Sequence, residues 1–363
     1  MRVALVINGD PRSIGGVERV VSYLASALRE GGHTAHVIGG ATKTGTVTED
    51  DNVRLVRAFN TKRNFGLNQV PLMLVGLGRV LTACAPDVVH VHGFPSSAAI
   101  QCAFWCRQSH VPLVVTPHTG AVYWREYAAG WKWPVMGDLL RSILSRAQVI
   151  CVTDEEASVV EYTLGCKPLV IGNGVPRPEP LRPSESGTLC LVNASRAVPE
   201  KRLEWFLGVI SSVARVCAIA GVLYLAPGDP EYESAVLAAG QSLQRSGFLS
   251  IVSQQAVNWT EIPRPAIYVS VSSRELYGMS MAEALVNGIP VVATDCEGSR
   301  FLLRRSGGGM IGHSVEELAS LVVQMAEQGP PDSRFAERMR SLTVEETAWR
   351  HLDVYRSCTS DIG

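Results

Sequence analysis

The sequence predicts an α/β protein made of two doubly wound domains that face a cleft. Short runs of apolar and β-branched residues recur along the chain, as expected of strands that are buried on both faces of a parallel sheet. Segments with helical periodicity alternate with these runs, which is the strand–helix order of doubly wound folds. A segment with four prolines, residues 176–186, divides the 363 residues into two parts that are each long enough for one core.

The composition is that of an ordinary globular protein, with 46% hydrophobic and 18% charged residues. The formal net charge of -1 gives no reason to expect nucleic-acid binding, although the first half is mildly basic, which would suit an anionic acceptor or surface. Nine cysteines without a CxxC pair argue against a disulfide framework. Because no signal peptide or membrane-spanning stretch is visible, we expect a cytoplasmic protein, with peripheral contact to the inner face of a membrane left open.

The chain begins with a predicted strand, a glycine loop and a helix. Residues 3–7 form a buried-strand run, and Gly15 and Gly16 precede a helix predicted over 17–30. Such a loop can cradle a phosphate at the helix start, or serve only as a turn. It lacks the G-x-G-x-x-G fingerprint and a suitable acid after the next strand, which disfavours a nicotinamide oxidoreductase.

Two further strands of the first half end in histidines. His90 and His92 lie two residues apart in the strand predicted over 87–93, so their side chains point to the same face. They could form half of a metal site, but no third ligand is within sequence reach, and His92 is more natural as a crevice residue. His118 follows the next strand, at the edge where open parallel sheets bind ligands.

Residues 70–81 have helical apolar spacing, and we expect this helix to face the core rather than a membrane surface. Aromatic and basic residues then alternate over 105–133, where four of the seven tryptophans fall: Trp105, Trp124, Trp131 and Trp133, with Arg107, Arg125 and Lys132. This combination suits a membrane interface or stacking on a sugar, and it suits equally well the small core of a loop.

Charged residues follow several later strands. Thr153 and Glu156 have the spacing of a capping box at a helix start. Beyond the linker, Arg196 follows the strand predicted over 189–192, and Lys201 opens the next helix. Two fixed cations at a strand end suit a diphosphate, whereas isolated basic residues are usually surface charges.

The most informative stretch is 272–295. A buried-strand run leads into a loop with Glu275, Gly278 permits a tight turn, and the amides of Met279 and Ser280 begin a helix, which is an anion site. Glu275 and Glu283 flank those amides; they would repel a phosphate but can accept hydrogen bonds from hydroxyls, so the pattern fits a nucleotide sugar. For an isolated pair of glutamates, solvated surface positions would be the simpler interpretation.

This stretch resembles the Glu-x7-Glu motif of the retaining glycosyltransferase family 4. The family's usual form is Glu-Gly-Phe-Gly-Leu, then Glu-Ala, then Gly-x-Pro-Val-Val-Ala; the chain has Glu275-Leu276-Tyr277-Gly278-Met279, Glu283-Ala284 and Gly288-Ile289-Pro290-Val291-Val292-Ala293. Leu276 and Tyr277 depart from the usual Gly and Phe, and Glu297-Gly298 replaces a common Gly-Gly. Both glutamates and the helix-start glycine are intact, so the departures bear mainly on which sugar is bound.

The resemblance covers nearly the whole chain. Gly15-Gly16-Val17-Glu18 matches the family's Gly-Gly-x-Glu loop beside the donor diphosphate, and Arg196 with Pro199-Glu200-Lys201 matches its pair of cations, with Ser195 in place of the usual Gly. His118 stands where the family commonly has a histidine near the donor's anomeric carbon. The resemblance therefore implies the GT-B fold, with an acceptor-binding domain over 1–178 and a donor-binding domain over 179–343. The last helix, 344–363, is expected to return to the first domain.

The function implied is transfer of a sugar, with retention, from a UDP- or GDP-sugar to an acceptor hydroxyl. Residues expected to bind the donor are Gly15, Gly16, Arg196, Lys201, Glu275, Leu276, Tyr277, Gly278, Met279, Ser280 and Glu283, and those expected to be catalytic are His118, Glu275, Arg196 and Lys201. Glu275 would hold the donor sugar, Glu283 the ribose and His118 the opposite wall. No metal or other cofactor is expected, because the cations and helix amides can neutralise the diphosphate and the chain has no Asp-x-Asp.

Several alternatives remain open within this fold. The acceptor could be a glycan, a lipid-linked oligosaccharide or a small molecule, in bacterial cell-surface polysaccharide or lipopolysaccharide synthesis or in secondary metabolism. A sugar-phosphate synthase or phosphorylase would use phosphate or a sugar phosphate as acceptor. A non-catalytic partner subunit tends to lose the cation pair or a motif glutamate, and this chain retains all four residues.

Overall fold

The computed structural model describes residues 1–13, 15–41, 53–59, 73–130, 133–178, 185–253 and 257–360. The chain divides into two compact units: unit 1 comprises Met1–Gly174 and Val344–Gly363, and unit 2 comprises Val175–Thr343. Each unit contains a sheet of mainly parallel strands with helices, which confirms the predicted α/β class. None of the described helices combines the length and the apolar composition that a membrane span requires.

The strands and helices of the described residues alternate along the chain. The strands are β1 (Arg2–Ile7), β2 (Thr34–Ala41), β3 (Val53–Phe59), β4 (Met73–Val75), β5 (Val88–His92), β6 (Leu113–Thr116), β7 (Ala147–Cys151), β8 (Leu169–Val170), β9 (Glu185–Arg196), β10 (Ile219–Ala226), β11 (Leu249–Ser253), β12 (Arg264–Ser270), β13 (Val291–Thr294) and β14 (Gly309–Gly312). The helices are α1 (Gly16–Glu30), α2 (Leu77–Cys84), α3 (Ser97–Ser109), α4 (Ala121–Ala129), α5 (Trp133–Leu144), α6 (Asp154–Leu164), α7 (Leu203–Val213), α8 (Pro230–Arg245), α9 (Met279–Val286), α10 (Glu297–Ser306), α11 (Val315–Gln328), α12 (Phe335–Arg338) and α13 (Val344–Ser360), with 3₁₀ turns at Pro199–Lys201 and Met339–Leu342.

Unit 1 is built on an eight-stranded sheet in the order β4-β3-β2-β1-β5-β6-β7-β8. Neighbouring strands are parallel except β3 and β4, which run antiparallel. The central strands β1 and β5 are buried along almost their whole length, as expected where helices cover both faces of a parallel sheet. Their carboxyl ends therefore deliver His92 and the neighbouring loops to one edge of the sheet.

The last helix, α13, belongs to unit 1. Its apolar face, with Leu352 and Tyr355, is buried in one core with Leu5 of β1 and Val21 and Leu24 of α1. Burial of such side chains contributes about 1.5–3 kcal/mol each. The end of the chain is therefore fixed onto the strands that carry the histidines.

The prediction of a helix over 70–81 is wrong in its first part. Residues 70–72 lie outside the described residues, Met73–Val75 forms strand β4, and the helix begins only at Leu77. Between them Gly76 has φ 88°, a left-handed conformation that glycine adopts readily and that ends the strand before the helix starts. Apolar spacing alone could not separate these two short elements. The predicted inward orientation of the helix holds, because Leu77 and Leu81 are buried.

Unit 2 contains a six-stranded parallel sheet in the order β11-β10-β9-β12-β13-β14. Its core joins Leu191 of β9 and Val269 of β12 to Phe206 of α7 and Val322 of α11. Because β9 and β12 are neighbours, the segments that follow their carboxyl ends lie side by side. These are the two segments in which the charged motif residues were predicted. Of the linker predicted over 176–186, residues 179–184 lie outside the described ranges.

Candidate active site

In unit 2, the loop after β12 is tied to the 3₁₀ turn after β9. The backbone amide and the hydroxyl of Ser273 both donate to the carbonyl oxygen of Glu200, at 2.8 and 3.0 Å. On its other side the buried hydroxyl of Thr294 donates to the carbonyl oxygen of Ser272 at 2.6 Å. Two predicted site segments are thereby held together by backbone contacts.

Lys201 and Glu275 meet across this junction. The Lys201 Nζ donates to the Glu275 Oε2 in an ion pair, and the two side chains are only 18% and 22% exposed. Since water screens this pair less than a surface ion pair, the attraction is correspondingly stronger. Arg196, the second predicted cation, is exposed at the end of β9, and its side chain has no hydrogen bond or ion pair with any residue that the structure describes. The site thus holds a fixed cation beside a fixed carboxylate.

Helix α9 begins directly after this loop, at Gly278. This glycine has φ 84°, and a Cβ on it would lie 2.9 Å from the Met281 Cε and 3.3 Å from the Glu275 Cγ. Both the conformation and the space therefore favour glycine. The amides of Met279 and Ser280 lie in the first turn, where helix amides have no partner within the helix, so they can bind an anion.

The backbone of this loop is also held from α10. The amide of Gly298 donates to the Glu275 carbonyl oxygen at 2.8 Å, and a Cβ on Gly298 would lie 2.5 Å from the carbonyl oxygen of Tyr277. Tyr277 is buried, with its ring 5.8 Å from that of Phe301, whereas Leu276 is half-buried. In the sequence Gly298 stands out only as part of a departure from a family pattern, and its contact with the loop is not apparent there.

Glu283 is buried, rather than exposed on its helix. Its Oε2 accepts a hydrogen bond of 3.2 Å from the indole Nε1 of Trp259, a buried residue that sequence analysis did not identify. The ring of Tyr268 lies 5.9 Å from that of Trp259. Burial, and then the charges of Glu275 and Glu283, raise the pKa of the Tyr268 hydroxyl. Glu283 is therefore buried against an aromatic side chain, and Glu275 is paired with Lys201, so neither glutamate fits the solvated-surface interpretation.

The glycine loop of unit 1 leads into α1. Gly15 is the residue before the helix, and a Cβ on it would lie 2.0 Å from the Glu18 Oε2, so the carboxylate of the first turn folds over this glycine. Gly16 is exposed, and a Cβ there would meet no atom within 4 Å. Of these two glycines, Gly15 is the one that its described neighbours restrict.

His118 lies in the loop after β6 and contacts a group of buried histidines. Its Nε2 shares a hydrogen bond of 3.0 Å with the Nδ1 of His92, whose Nε2 is buried without a hydrogen-bond partner in the described structure. The His90 ring lies 4.0 Å from that of His92 and is held by hydrogen bonds to the hydroxyls of Tyr355 and Thr116, at 2.7 and 2.8 Å. The predicted common face of His90 and His92 is therefore the face that α13 covers.

A small cavity lies beside these histidines, wholly within unit 1. It is lined by α1, α13 and the carboxyl ends of the central strands, with polar groups from Tyr23, His92, Thr116, His118, Asn173 and His351. Among the described residues, no group of three or more histidine, cysteine, aspartate or glutamate side chains is arranged to hold a metal ion. The histidines contact one another through hydrogen bonds and stacked rings.

Burial favours the neutral form of these imidazoles. It lowers the pKa of His118 to about 3 and that of His351 to about 4. It also lowers the pKa values of His90 and His92 well below 6.5, with smaller contributions from the charges of neighbouring histidines. At neutral pH each ring therefore carries one N–H donor and one acceptor nitrogen.

We expect the chain to lose stability as the pH falls from 6.5 to about 5. The pKa of each of the four imidazoles is lower in the folded chain than in the unfolded chain, so the unfolded chain binds protons first. Above pH 6.5 the imidazoles are neutral in the folded and the unfolded chain, so they cost no stability. Below pH 6.5 each of them lowers the free energy of unfolding by up to about 1.4 kcal/mol per pH unit. Glu156, whose pKa burial raises, acts with the opposite sign, but it is one group against four.

Thermal unfolding of the whole chain across this pH range measures the effect. The variant His351→Asn should show a smaller fall in Tm with pH than the natural chain. His110→Asn is the matched control, because His110 is exposed and should leave the slope unchanged. Equal slopes in the natural chain and in His351→Asn would contradict the assignment.

The tryptophan-rich region is divided between core and surface. Trp124 is completely buried, and the Trp105 indole donates to the Thr82 hydroxyl at 3.1 Å, so these two residues serve packing. Trp131 and Lys132 lie outside the described residues, as does the side chain of Trp133. The exposed aromatic side chains in this part of the described structure are their neighbours Phe104, Tyr123 and Tyr127, which are 62%, 39% and 38% exposed. The region and its exposed arginines Arg107 and Arg125 are apparent from the sequence, whereas the aromatic residues that face solvent are not.

Solved structures with the same architecture belong to glycosyltransferases. A glycosyltransferase from Rickettsia africae is 15% identical over 98% of both chains, with a TM-score of 0.76. Sucrose-phosphate synthase from Thermosynechococcus elongatus is 17% identical, covering 99% of this chain and 100% of the other, with a TM-score of 0.73. HepE from Anabaena, solved with UDP and glucose, is 16% identical over 98% and 100%, with a TM-score of 0.69. The fold is therefore GT-B.

Two family models match the sequence, and together they span most of it. The model described as Glycosyltransferase Family 4 matches residues 14–177, and that described as Glycosyl transferases group 1 matches residues 188–328. A phosphatidyl-myo-inositol mannosyltransferase from Propionibacterium freudenreichii is 28% identical, with 95% of this chain and 91% of that protein covered. The chain belongs to the family 4 type of glycosyltransferases and is a glycosyltransferase enzyme, which confirms the predicted family.

Proposed function

We propose that this glycosyltransferase transfers a sugar, with retention of anomeric configuration, from a nucleoside diphosphate sugar to an acceptor hydroxyl. The observation that carries the proposal is the shielded Lys201–Glu275 pair beside the start of α9. It places a cation, the first amides of a helix and a carboxylate side by side where two neighbouring strands end, as a ligand with a diphosphate and a sugar requires. Such a combination of charged groups and helix amides would be unusual at a place on the protein that binds no ligand.

Each group then has a chemical role. Lys201, Arg196 and the amides of Met279 and Ser280 would stabilise the negative charge that develops on the departing diphosphate. Glu275 would accept hydrogen bonds from hydroxyls of the transferred sugar. Because these fixed charges and dipoles supply the electrostatic stabilisation, we propose that transfer needs no metal ion or other cofactor.

The remaining predicted residues would bind the rest of the donor. Glu283, oriented by Trp259, would accept hydrogen bonds from the ribose hydroxyls. Gly16 and His118 would also contact the donor sugar. With retention, the acceptor hydroxyl would attack from the face that the diphosphate leaves, and the leaving phosphate would take its proton.

The donor is proposed to be a UDP- or GDP-sugar, and the acceptor a hydroxyl of a cell-envelope glycan or lipid. HepE was solved with UDP and glucose, and the names of other similar proteins state a phosphatidyl-inositol, a poly(ribitol-phosphate) and a lipopolysaccharide outer core. Two helices of unit 1 expose aromatic and basic side chains together: Phe104 with Arg107, and Tyr123 with Arg125. These side chains would suit an anionic acceptor, or a peripheral contact with the cytoplasmic face of a membrane.

Incubation with radiolabelled UDP- and GDP-sugars and bacterial envelope lipids, followed by NMR of the new linkage, tests the proposal. We expect transfer to one acceptor class with the anomeric configuration of the donor. An inverted product would disprove retention. Turnover only with phosphate or a sugar phosphate as acceptor would instead identify a phosphorylase or a sugar-phosphate synthase.

Trp259→Phe provides a test of the proposed ribose contact. The change keeps an aromatic ring but removes the N–H that holds the Glu283 carboxylate, so we expect nucleoside diphosphate affinity to fall about tenfold, or ~1.4 kcal/mol. Isothermal titration with the 2′,3′-dideoxy analogue should show no such loss, because this ligand has no ribose hydroxyls to bind. Trp349→Phe, at an exposed position of α13, is the control. An equal loss for both ligands would refute a ribose-specific role.

A further inference from the structure

The loop that carries His118 is fastened by a carboxylate from another helix. Glu156, in the first turn of α6, is completely buried. Its Oε1 accepts hydrogen bonds from the amides of Thr119 and Gly120, at 3.0 and 2.9 Å. Its Oε2 accepts from the amide of Val152 at 3.2 Å. A buried carboxylate with three backbone donors is a strong and directional anchor.

Glu156 forms one half of the capping box predicted from its spacing and makes further contacts. The Thr153 hydroxyl accepts a hydrogen bond of 3.1 Å from the Glu156 amide. The Glu156 carboxylate, which a capping box would direct to the Thr153 amide, accepts from the amide of Val152. The carboxylate, however, reaches beyond the helix start to a loop whose residues lie 36 and 37 positions earlier in the sequence. Ordinary capping of α6 does not require these contacts with the loop.

The anchored loop has a conformation that needs support. His118 has φ 53°, a left-handed conformation that is uncommon for residues other than glycine. The amides that Glu156 holds belong to the next two residues, and the Thr119 hydroxyl donates to the carbonyl oxygen of Phe94 on the other side. Hydrogen bonds to the two residues that follow His118 therefore hold its backbone in this turn.

This backbone conformation determines where the imidazole points. It brings the His118 Nε2 to 3.0 Å from the Nδ1 of buried His92, with the two rings stacked at 5.3 Å. Because that hydrogen bond occupies one nitrogen, the His118 Nδ1 remains for other partners. A shift of the loop by a fraction of an ångström would weaken the bond and turn the ring.

We infer that Glu156 is a positioning residue for sugar transfer: it holds the loop that sets the orientation of the His118 imidazole. This inference rests on the proposed function, in which His118 contacts the donor sugar. Glu156 itself would not contact substrate. A carboxylate is suited to the task because it only accepts hydrogen bonds, and each of its three contacts is an N–H donor.

The test is Glu156→Gln, assayed well below its Tm. The amide NH₂ of glutamine cannot accept a hydrogen bond, so either the contact with Val152 or the two contacts with Thr119 and Gly120 are lost. The remaining amide oxygen is neutral and binds the backbone donors more weakly than a carboxylate does. We expect kcat/KM for transfer to fall at least tenfold. The Kd for the nucleoside diphosphate alone should change less than twofold, since that ligand lacks the transferred sugar, which His118 is proposed to contact. Glu161→Gln, at an exposed position of the same helix, is the matched control.

A double variant separates positioning from simple stabilisation. If Glu156 acts through His118, then Glu156→Gln should cause little further loss of kcat/KM in a His118→Ala chain. Full loss in both backgrounds, or a lower Tm with unchanged kcat/KM, would overturn the inference. If Glu156→Gln does not fold, Glu156→Asp keeps the charge but shortens its reach, and the same comparison applies.

A second readout does not depend on turnover. With ¹⁵N-labelled histidine, the imidazole signals of His118 and His92 should shift in Glu156→Gln and remain unchanged in Glu161→Gln. Unchanged signals in Glu156→Gln would overturn the inference, whether or not the chain is active. If the natural chain transfers no sugar while these signals do shift, the proposed function fails but the structural coupling of Glu156 to His118 stands.

Discussion

Lys201→Ala is expected to lower kcat/KM about a hundredfold and to weaken binding of the nucleoside diphosphate. The lysine supplies a fixed positive charge where the leaving diphosphate becomes more negative, and loss of one such partner typically costs on the order of 3 kcal/mol. The change also leaves the Glu275 carboxylate, which is only 22% exposed, without its counter-charge. An unpaired carboxylate at this position would repel the diphosphate.

Steady-state kinetics and isothermal titration with the nucleoside diphosphate measure the two effects. Lys201→Arg should recover part of the activity, because it restores the charge with a different shape. Lys167→Ala, at an exposed position of unit 1, controls for loss of a positive charge in general. Near-normal kcat/KM in Lys201→Ala would show that the lysine has no role in transfer.

Glu275→Ala should reduce kcat/KM by a similar factor, about a hundredfold, but with a different signature. The proposed partner of this carboxylate is the transferred sugar, so binding of the nucleoside diphosphate alone should not weaken. It should become tighter, since removal of a negative charge leaves Lys201 free for the diphosphate. We therefore expect Lys201→Ala and Glu275→Ala to have opposite effects on the affinity for the nucleoside diphosphate.

Comparison of Glu275→Ala with Glu275→Gln separates charge from shape. Glutamine can still accept a hydrogen bond from a sugar hydroxyl but cannot form the ion pair, so an intermediate loss is expected. Glu327→Ala, at an exposed position of α11, is the control. Glu275→Ala with unchanged kcat/KM, or with nucleotide binding as weak as in Lys201→Ala, would contradict the division of roles between sugar and diphosphate.

The parts of this architecture that could be predicted are those encoded locally. Buried strands were recognisable because a strand covered on both faces must be apolar throughout, as in β1 and β5. The motif glutamates and Lys201 were identified from spacing and from the resemblance to family 4. The boundary at Gly76 was not identified, because two short apolar elements on either side of a glycine resemble one helix.

The residues that orient the motif side chains could not be inferred in the same way. Trp259 lies 24 positions before Glu283, and Glu156 lies 36 and 37 positions after the amides that it binds. Such contacts depend on how strands and loops approach in three dimensions, and no local period records them. Gly298 was noted in the sequence, but its role follows only from the 2.5 Å that would separate its Cβ from the Tyr277 carbonyl oxygen.

The most direct test of the account is a thermal-shift screen of the natural chain and of Lys201→Ala with UDP, GDP, ADP, CMP, TDP and NAD, repeated with EDTA. One nucleoside diphosphate should stabilise the natural chain, by about 2.7 kcal/mol at a hundred times its Kd. EDTA should not change this stabilisation. The same ligand should stabilise Lys201→Ala far less. If none of these ligands stabilises the natural chain, or if the variant responds equally, the proposed donor site around Lys201 and Glu275 is wrong.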